Sequence, residues 1–272
     1  MLGTYEEMGK KMIEVITSFD EYYYNLIGKD SVESWLNNWS EEFRLTCYVE
    51  EFKLPFTSDR ITEIDFEQLD PDYTALQADN LHSSIKRFAK KAYSFIHAMY
   101  HSKSNWIIWL DADVITTDKV DWSVMGGILN PYHLAMYMGV CYQTDKDGRV
   151  GDWLVPETGV FAVNTQHPDF KAFREEYFRR YKERDYEDLR RFYDNDVFGA
   201  ALRLFPDTKV TDLCAKFVKG YRTPLRHTVL GPHLFHHKAK HSKDAYSNRT
   251  DFPAYEESTE PNNSQTEDER DL

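Results

Sequence analysis

Cysteine is scarce in this chain, with three residues in 272. Cys47, Cys141 and Cys214 are odd in number and far apart, which excludes a disulfide framework or a cysteine-based metal knuckle. The same scarcity points to a reducing, cytoplasmic setting. Long apolar runs are missing too. No uninterrupted apolar stretch exceeds five residues, Trp106 to Leu110 being one, so no bilayer-spanning helix is predicted. The opening residues MLGTYEEMGKK contain no basic region leading into an apolar one, and no secretory leader is expected. Positive charge is in short supply, with 33 Lys and Arg against 46 Asp and Glu and a formal net charge of −13. That excludes a uniformly basic nucleic-acid clamp. Apolar side chains are plentiful at 41%, too many for a disordered chain and enough at this length for one large core.

The apolar residues are patterned. Residues 12 to 18 form a short apolar strand ending in hydroxyl side chains, and helical material with Gly28 inside it follows from Tyr22 to Trp39. Phe43 to Val49 alternates and is rich in β-formers, which predicts a second strand. Glu50 to about Asp79 is acidic and is expected to be irregular. From Ser83 to Tyr100 the apolar positions Ile85, Phe88, Ala92, Phe95, Ile96 and Met99 recur with a helical period. The run Trp-Ile-Ile-Trp-Leu at 106–110 is apolar throughout, as expected for a strand buried on both faces. Leu154 to Val163 has strand character interrupted by Pro156 and Gly159, and a helix is predicted over 168–184. Strands alternating with long helices imply an α/β fold with a largely parallel sheet.

Asp111-Ala112-Asp113 follows the apolar run directly. Ligands of open α/β sheets sit at the carboxyl ends of strands. On extended backbone, residues i and i+2 point to one side. Two carboxylates that close repel each other, and a cation between them is the natural compensation. Mn²⁺ or Mg²⁺ suits such oxygen ligands and completes its shell with phosphate and water. A second feature agrees. Leu213 to Lys243 holds seven Lys and Arg, five His and no acidic residue, which reads as an anion site in so acidic a chain. On the helix at 83–100, Arg87 and Lys91 share a face, with Lys90 beside them. Residues 244–272 carry nine acidic and two basic residues with no visible period, and are expected to form a disordered acidic tail after a folded domain at 1–243.

On these residues the chain resembles a GT-A glycosyltransferase of bacterial or phage type over roughly 12–243. Thr17-Ser18-Phe19-Asp20 resembles the end of the first strand, where that family binds the nucleotide. Arg87-Phe88-Ala89-Lys90-Lys91 resembles a helix whose basic residues approach the donor. Trp109 to Asp113 matches the metal-binding Asp-x-Asp. Pro156-Glu157-Thr158-Gly159-Val160-Phe161, with Asn164 and His167-Pro168, resembles the acceptor-side segment, and Tyr193-Asp194-Asn195-Asp196 an acidic segment near the reacting sugar. His236-His237-Lys238-Ala239 resembles a C-terminal element whose His is the third metal ligand and whose Lys meets the diphosphate, with Ala239 standing where the family often has Gly.

The resemblance implies a single Rossmann-type GT-A domain, with a mixed, mostly parallel sheet flanked by helices. It implies Mn²⁺ or Mg²⁺ held by Asp111, Asp113 and His236, with His237 as the alternative third ligand. It implies a nucleotide-sugar donor, a UDP-sugar first, bound by Thr17, Ser18, Phe19, Arg87, Lys91, Asp111, Ala112 and Lys238. Asp194 and then Glu157 are the expected acceptor-positioning or basic groups, with Asp196 a further candidate, and Trp153 a candidate for stacking on a sugar or base. The acceptor is a glycan or a hydroxymethylated DNA base. Two other readings stand beside this one. Asp111-Ala112-Asp113-Val114 also fits a haloacid-dehalogenase-type phosphohydrolase with Asp111 as nucleophile, and a transferase fold without turnover would make a glycan- or nucleotide-sugar-binding module.

Overall fold

The computed structural model describes residues 13–78, 83–144, 150–186, 189, 193–214, 218–219 and 224–237. The chain divides after Lys238, and everything described belongs to the first unit. The expected acidic tail at 244–272 lies outside the described residues, as do residues 215–217, 220–223 and 238–243 of the basic block.

Strand β1 (Ile13–Asp20) leads into a helical segment, α1 (Glu21–Tyr23), a π-helical turn (Tyr24–Gly28) and α2 (Lys29–Asn38). Asp20 caps its start by accepting from the Tyr23 N–H at 2.7 Å. The helix expected over 22–39 is therefore present, with its irregularity at Gly28. A Cβ there would stand 3.2 Å from the Phe19 ring, so the turn packs closely on the end of β1. Strands β2 (Phe43–Glu50) and β3 (Ile61–Asp65) and helix α3 (Pro71–Ala78) follow. The expectation of an irregular stretch over 50–79 is thus corrected. β3 is a half-exposed edge strand of polar composition, and α3 is a short helix started by Pro71 that buries Tyr73 and Leu76. Neither shows a strong apolar period.

Helix α4 (Ser83–His101) precedes β4 (Trp106–Leu110), β5 (Val114–Thr116) and the short α5 (Trp122–Met125). Then come β6 (Ala135–Thr144), β7 (Val150–Asn164), α6 (Phe170–Lys182), α7 (Asp194–Arg203), β8 (Val210–Asp212), β9 (Val218–Lys219) and β10 (Leu234–His236). The main sheet has eight strands in the order β3-β2-β1-β4-β7-β6-β8, with β9 also on β6. The β1–β2, β2–β3, β1–β4, β6–β8 and β6–β9 pairs are parallel, and β7 runs antiparallel to both β4 and β6. The mixed, mostly parallel sheet expected from the sequence is the sheet observed.

All five residues of β4 are buried, and they divide between two cores. Trp106, Ile108 and Leu110 join Trp35 and Val32 of α2 on one face. Ile107 and Trp109 join α4, α6 and α7 on the other, through Phe95, Tyr177 and Phe198. A strand covered on both faces needs no polar residue until it ends, which explains the uninterrupted run before Asp111. Among the described residues, no helix is long and apolar enough to cross a membrane.

β7 corrects a second expectation, because it continues through Pro156 and Gly159 without a break. Its register with β6 slips instead. Met136 pairs with Ala162 and Met138 with Glu157, so a two-residue step on β6 meets a five-residue step on β7. The extra residues stay with β4, where Phe161 pairs with Trp109 and Val160 with Leu110. Irregularities of this kind re-aim side chains near sites, and this one lies beside Asp111.

Candidate active site

Three chain segments meet where β4 ends. The Asp111 N–H donates to Gly159 O at 2.9 Å, which ties the turn to β7. Val114 N–H donates back to Asp111 O at 2.9 Å and closes the turn at 111–114. β10 pairs antiparallel with β5, setting His236 opposite Val114, and the His237 N–H donates to Asp113 O at 2.8 Å. These backbone bonds bring residues more than 120 positions apart in sequence to one point.

The side chains converge accordingly. His236 Nε2 lies 3.0 Å from Asp113 Oδ1 and 3.6 Å from Asp111 Oδ2. One ligand atom from each of Asp111, Asp113 and His236 falls within 4.8 Å of the others, and among the described residues this is the one such group of metal-ligating side chains. Two carboxylates and one imidazole form a donor set that suits Mn²⁺ or Mg²⁺. His237, the alternative ligand, is buried and next to an aromatic ring, with its centroid 6.1 Å from that of Phe235.

Behind this trio sits Lys91 of α4, with a side chain only 12% exposed. Its Nζ lies 2.9 Å from Asp111 Oδ1 and 2.8 Å from Asp194 Oδ2, and it also donates to Thr158 O. Burial opposes its charge, but the Asp111 and Asp194 carboxylates outweigh burial and hold the ammonium pKa above its ordinary value. The Trp109 indole N–H donates to the same Asp111 Oδ1 at 2.7 Å. Asp111 is therefore held inward by one oxygen, while its other oxygen faces His236. Asp194, in the first turn of α7, accepts from the Thr158 hydroxyl at 2.6 Å. Asp196 is buried one step along the same turn. Glu157 Oε2 accepts from the Gly159 N–H at 2.9 Å, and its Oε1 lies 3.7 Å from His236 Nδ1.

The sequence candidates are thus placed as follows. Asp111, Asp113, His236, Lys91, Asp194 and Glu157 are joined in one network. Ala112 is buried within the turn. Thr17, Ser18 and Phe19 close β1, which runs beside β4 with Ile16 paired to Trp109. Thr17 and Phe19 are buried, Phe19 among Tyr24 and Phe52, and Ser18 is half-buried. Lys238 and the side chains of Arg87 and Trp153 lie outside the described residues.

The sequence places Trp109, Thr158 and Gly159 inside its motif segments but gives none of them a role of its own. Trp109 had a readable signal, since it stands two residues before Asp111 on extended backbone and shares its side. The contacts of the other two, Thr158 with Lys91 and Asp194 and Gly159 with Asp111, appear only once β7 is laid against β4.

No protein-family model and no curated protein sequence matches this chain. Solved structures do. The glycosyltransferase GlyE of Streptococcus pneumoniae TIGR4 aligns with 75% of this chain and 45% of its own, at 13% identity and a TM-score of 0.44. The bifunctional glycosyltransferase WbbM aligns over 75% and 39%, at 14% identity and a TM-score of 0.46. The chain thus spans less than half the length of either. Mouse xyloside xylosyltransferase 1, in its apo form, aligns over 74% of this chain and 85% of its own, at 15% identity and a TM-score of 0.51. That last likeness establishes the fold as GT-A.

Proposed function

We propose that this chain is a divalent-cation-dependent glycosyltransferase. It moves a sugar from a nucleoside-diphosphate sugar, a UDP-sugar in first place, to a hydroxyl acceptor on a glycan. The observation that carries this reading is the convergence of Asp111, Asp113 and His236 at the carboxyl end of β4 in a GT-A fold.

When bound, Mn²⁺ or Mg²⁺ at this site supplies Lewis-acid stabilisation of the charge on the leaving diphosphate. Asp111, Asp113 and His236 hold it. Lys238, two residues past His236, supplies a point charge for the diphosphate. Thr17, Ser18, Phe19, Arg87 and Ala112 are assigned to the nucleotide side. Lys91 keeps the Asp111 and Asp194 carboxylates together, which supports an orienting role beside its assignment to the donor. Asp194 is the first assignment for positioning the reacting sugar or acceptor. A cytoplasmic setting belongs to the same proposal and is supported by the scarcity of cysteine.

Hydrolysis of a nucleotide-sugar in the presence of Mn²⁺ tests the reading. The wild-type chain is expected to hydrolyse its donor, and the Asp111→Ala/Asp113→Ala variant to fall to background. Undiminished hydrolysis by that variant at limiting Mn²⁺ overturns the assignment. A thermal-shift screen of nucleotide-sugars with and without Mn²⁺ identifies the donor, because a ligand of the native state raises its melting temperature. Cation-dependent binding without turnover makes the chain a binding module instead.

A further inference from the structure

This inference rests on the cation reading and concerns how His236 is aimed. Its Nε2 faces the carboxylate pair, 3.0 Å from Asp113 Oδ1 and 3.6 Å from Asp111 Oδ2. Its other nitrogen, Nδ1, faces Glu157, with Oε1 at 3.7 Å. Glu157 is itself fixed, because Oε2 accepts the Gly159 N–H at 2.9 Å. Gly159 lies against the same edge of the ring. A Cβ there would stand 2.4 Å from His236 Cε1 and 2.6 Å from Nδ1, distances that no real side chain tolerates. The imidazole, with its side chain only 2% exposed, is therefore bracketed by Glu157 and Gly159 on one edge and by two aspartates on the other.

A neutral imidazole that offers one nitrogen to a cation carries its proton on the other. A carboxylate beside Nδ1 favours the proton at Nδ1 and leaves the Nε2 lone pair directed toward Asp111 and Asp113. Such carboxylate–histidine pairs orient the ligand ring in metal sites generally. We infer that Glu157 is a positioning residue for His236, setting its orientation and tautomer so that Nε2 is the ligand atom. Its work lies on the cation side of the site and not on the acceptor hydroxyl.

The test uses the full chain and the Glu157→Gln variant. Glutamine keeps an acceptor for the Gly159 N–H but offers an N–H toward Nδ1, which favours the opposite tautomer. Two measurements read the result. Long-range ¹H–¹⁵N spectra of the histidine-labelled, cation-free protein report the tautomer of His236, and calorimetric titration with Mn²⁺ reports affinity. The expected wild-type form carries its proton at Nδ1. In Glu157→Gln the proton moves to Nε2, and Mn²⁺ affinity falls about 10- to 100-fold. Glu157→Asp, which keeps the charge with a shorter reach, is expected to fall between the two, and decides the matter if the glutamine variant does not fold. A wild-type tautomer and wild-type Mn²⁺ affinity in the variants, with any loss confined to turnover, overturns this inference alone and returns Glu157 to the acceptor side. A wild-type chain that binds no Mn²⁺ overturns both this inference and the reading it rests on.

Discussion

At the scale of single residues, the site depends on what is absent as much as on what is present. Gly159 has no side chain where His236 packs, and its carbonyl and N–H each serve a neighbour, Asp111 and Glu157. Gly159→Ala places a methyl group inside the imidazole's contact distance, and the flanking backbone bonds leave little freedom to yield. The variant is expected to lose about 1–3 kcal/mol of stability through overpacking. Its Mn²⁺ affinity should fall at least tenfold, because His236 has to leave its position. Urea unfolding and Mn²⁺ titration of the same preparation check both effects. Unchanged affinity would mean that the ring moves without consequence for the site. Trp109 shows the opposite economy, since one side chain fills a core position beside Phe161 and also donates to Asp111.

At the scale of elements, α4 is the beam on which the site rests. It carries Lys91 into the carboxylate network, and its apolar stripe packs on the face of the sheet that holds Ile107 and Trp109. Phe95 is the centre of that stripe. It is fully buried, its ring is 4.7 Å from that of Phe161 of β7, and it meets Tyr177 of α6 edge-on at 6.0 Å. Truncation at this position leaves a cavity bounded by three elements that cannot all collapse inward. Phe95→Ala is therefore expected to cost about 3–5 kcal/mol in urea unfolding. A cost below about 1 kcal/mol would show that α4 can settle onto the sheet, contrary to the interlocked rings seen. The periodicity of α4 and the all-apolar character of β4 were legible in the sequence because both elements are buried in a regular way. β3, α3 and the slipped register of β7 were not, because their residues are set by neighbours distant in the chain.

At the scale of the whole molecule, net charge conceals a polarised distribution. Residues 213–243 are basic with no acidic side chain, and 244–272 are strongly acidic, so the formal charge of −13 is an average over unlike segments. Stability against pH is a property of the same scale, and His97 sets part of its acid side. Burial, and then the neighbouring His101, lower its pKa from 6.5 to about 4. The rings of the two histidines are 4.3 Å apart, and His97 Nδ1 is bonded to the Tyr48 hydroxyl at 3.1 Å. Between those two pH values the unfolded chain takes up a proton that the folded chain refuses. The stabilisation is thus complete above about pH 6.5 and is lost as pH falls toward about 4. Urea midpoints measured from pH 7 down to 4.5 should fall for the wild type and fall less steeply for His97→Gln. Equal slopes would remove His97 from the account.

Sequence alone determined the fold class, the buried strand and the carboxylate pair behind it, because burial, period and charge repulsion act locally along the chain. Through the resemblance it also brought Asp194, Glu157, Lys91 and His236 into view as candidates, grouping His236 with the two aspartates and leaving the other three unrelated to them. Tertiary structure decided those relations. β10 on β5 carries His236 to Asp113 across more than 120 residues, and β7 against β4 carries Glu157 and Gly159 to His236. Lys91, read from the sequence as a cation for the donor, is found between two carboxylates. The physical reason is that a buried charge takes the partners the fold supplies, and those partners come from strand register and helix packing, which no local pattern encodes.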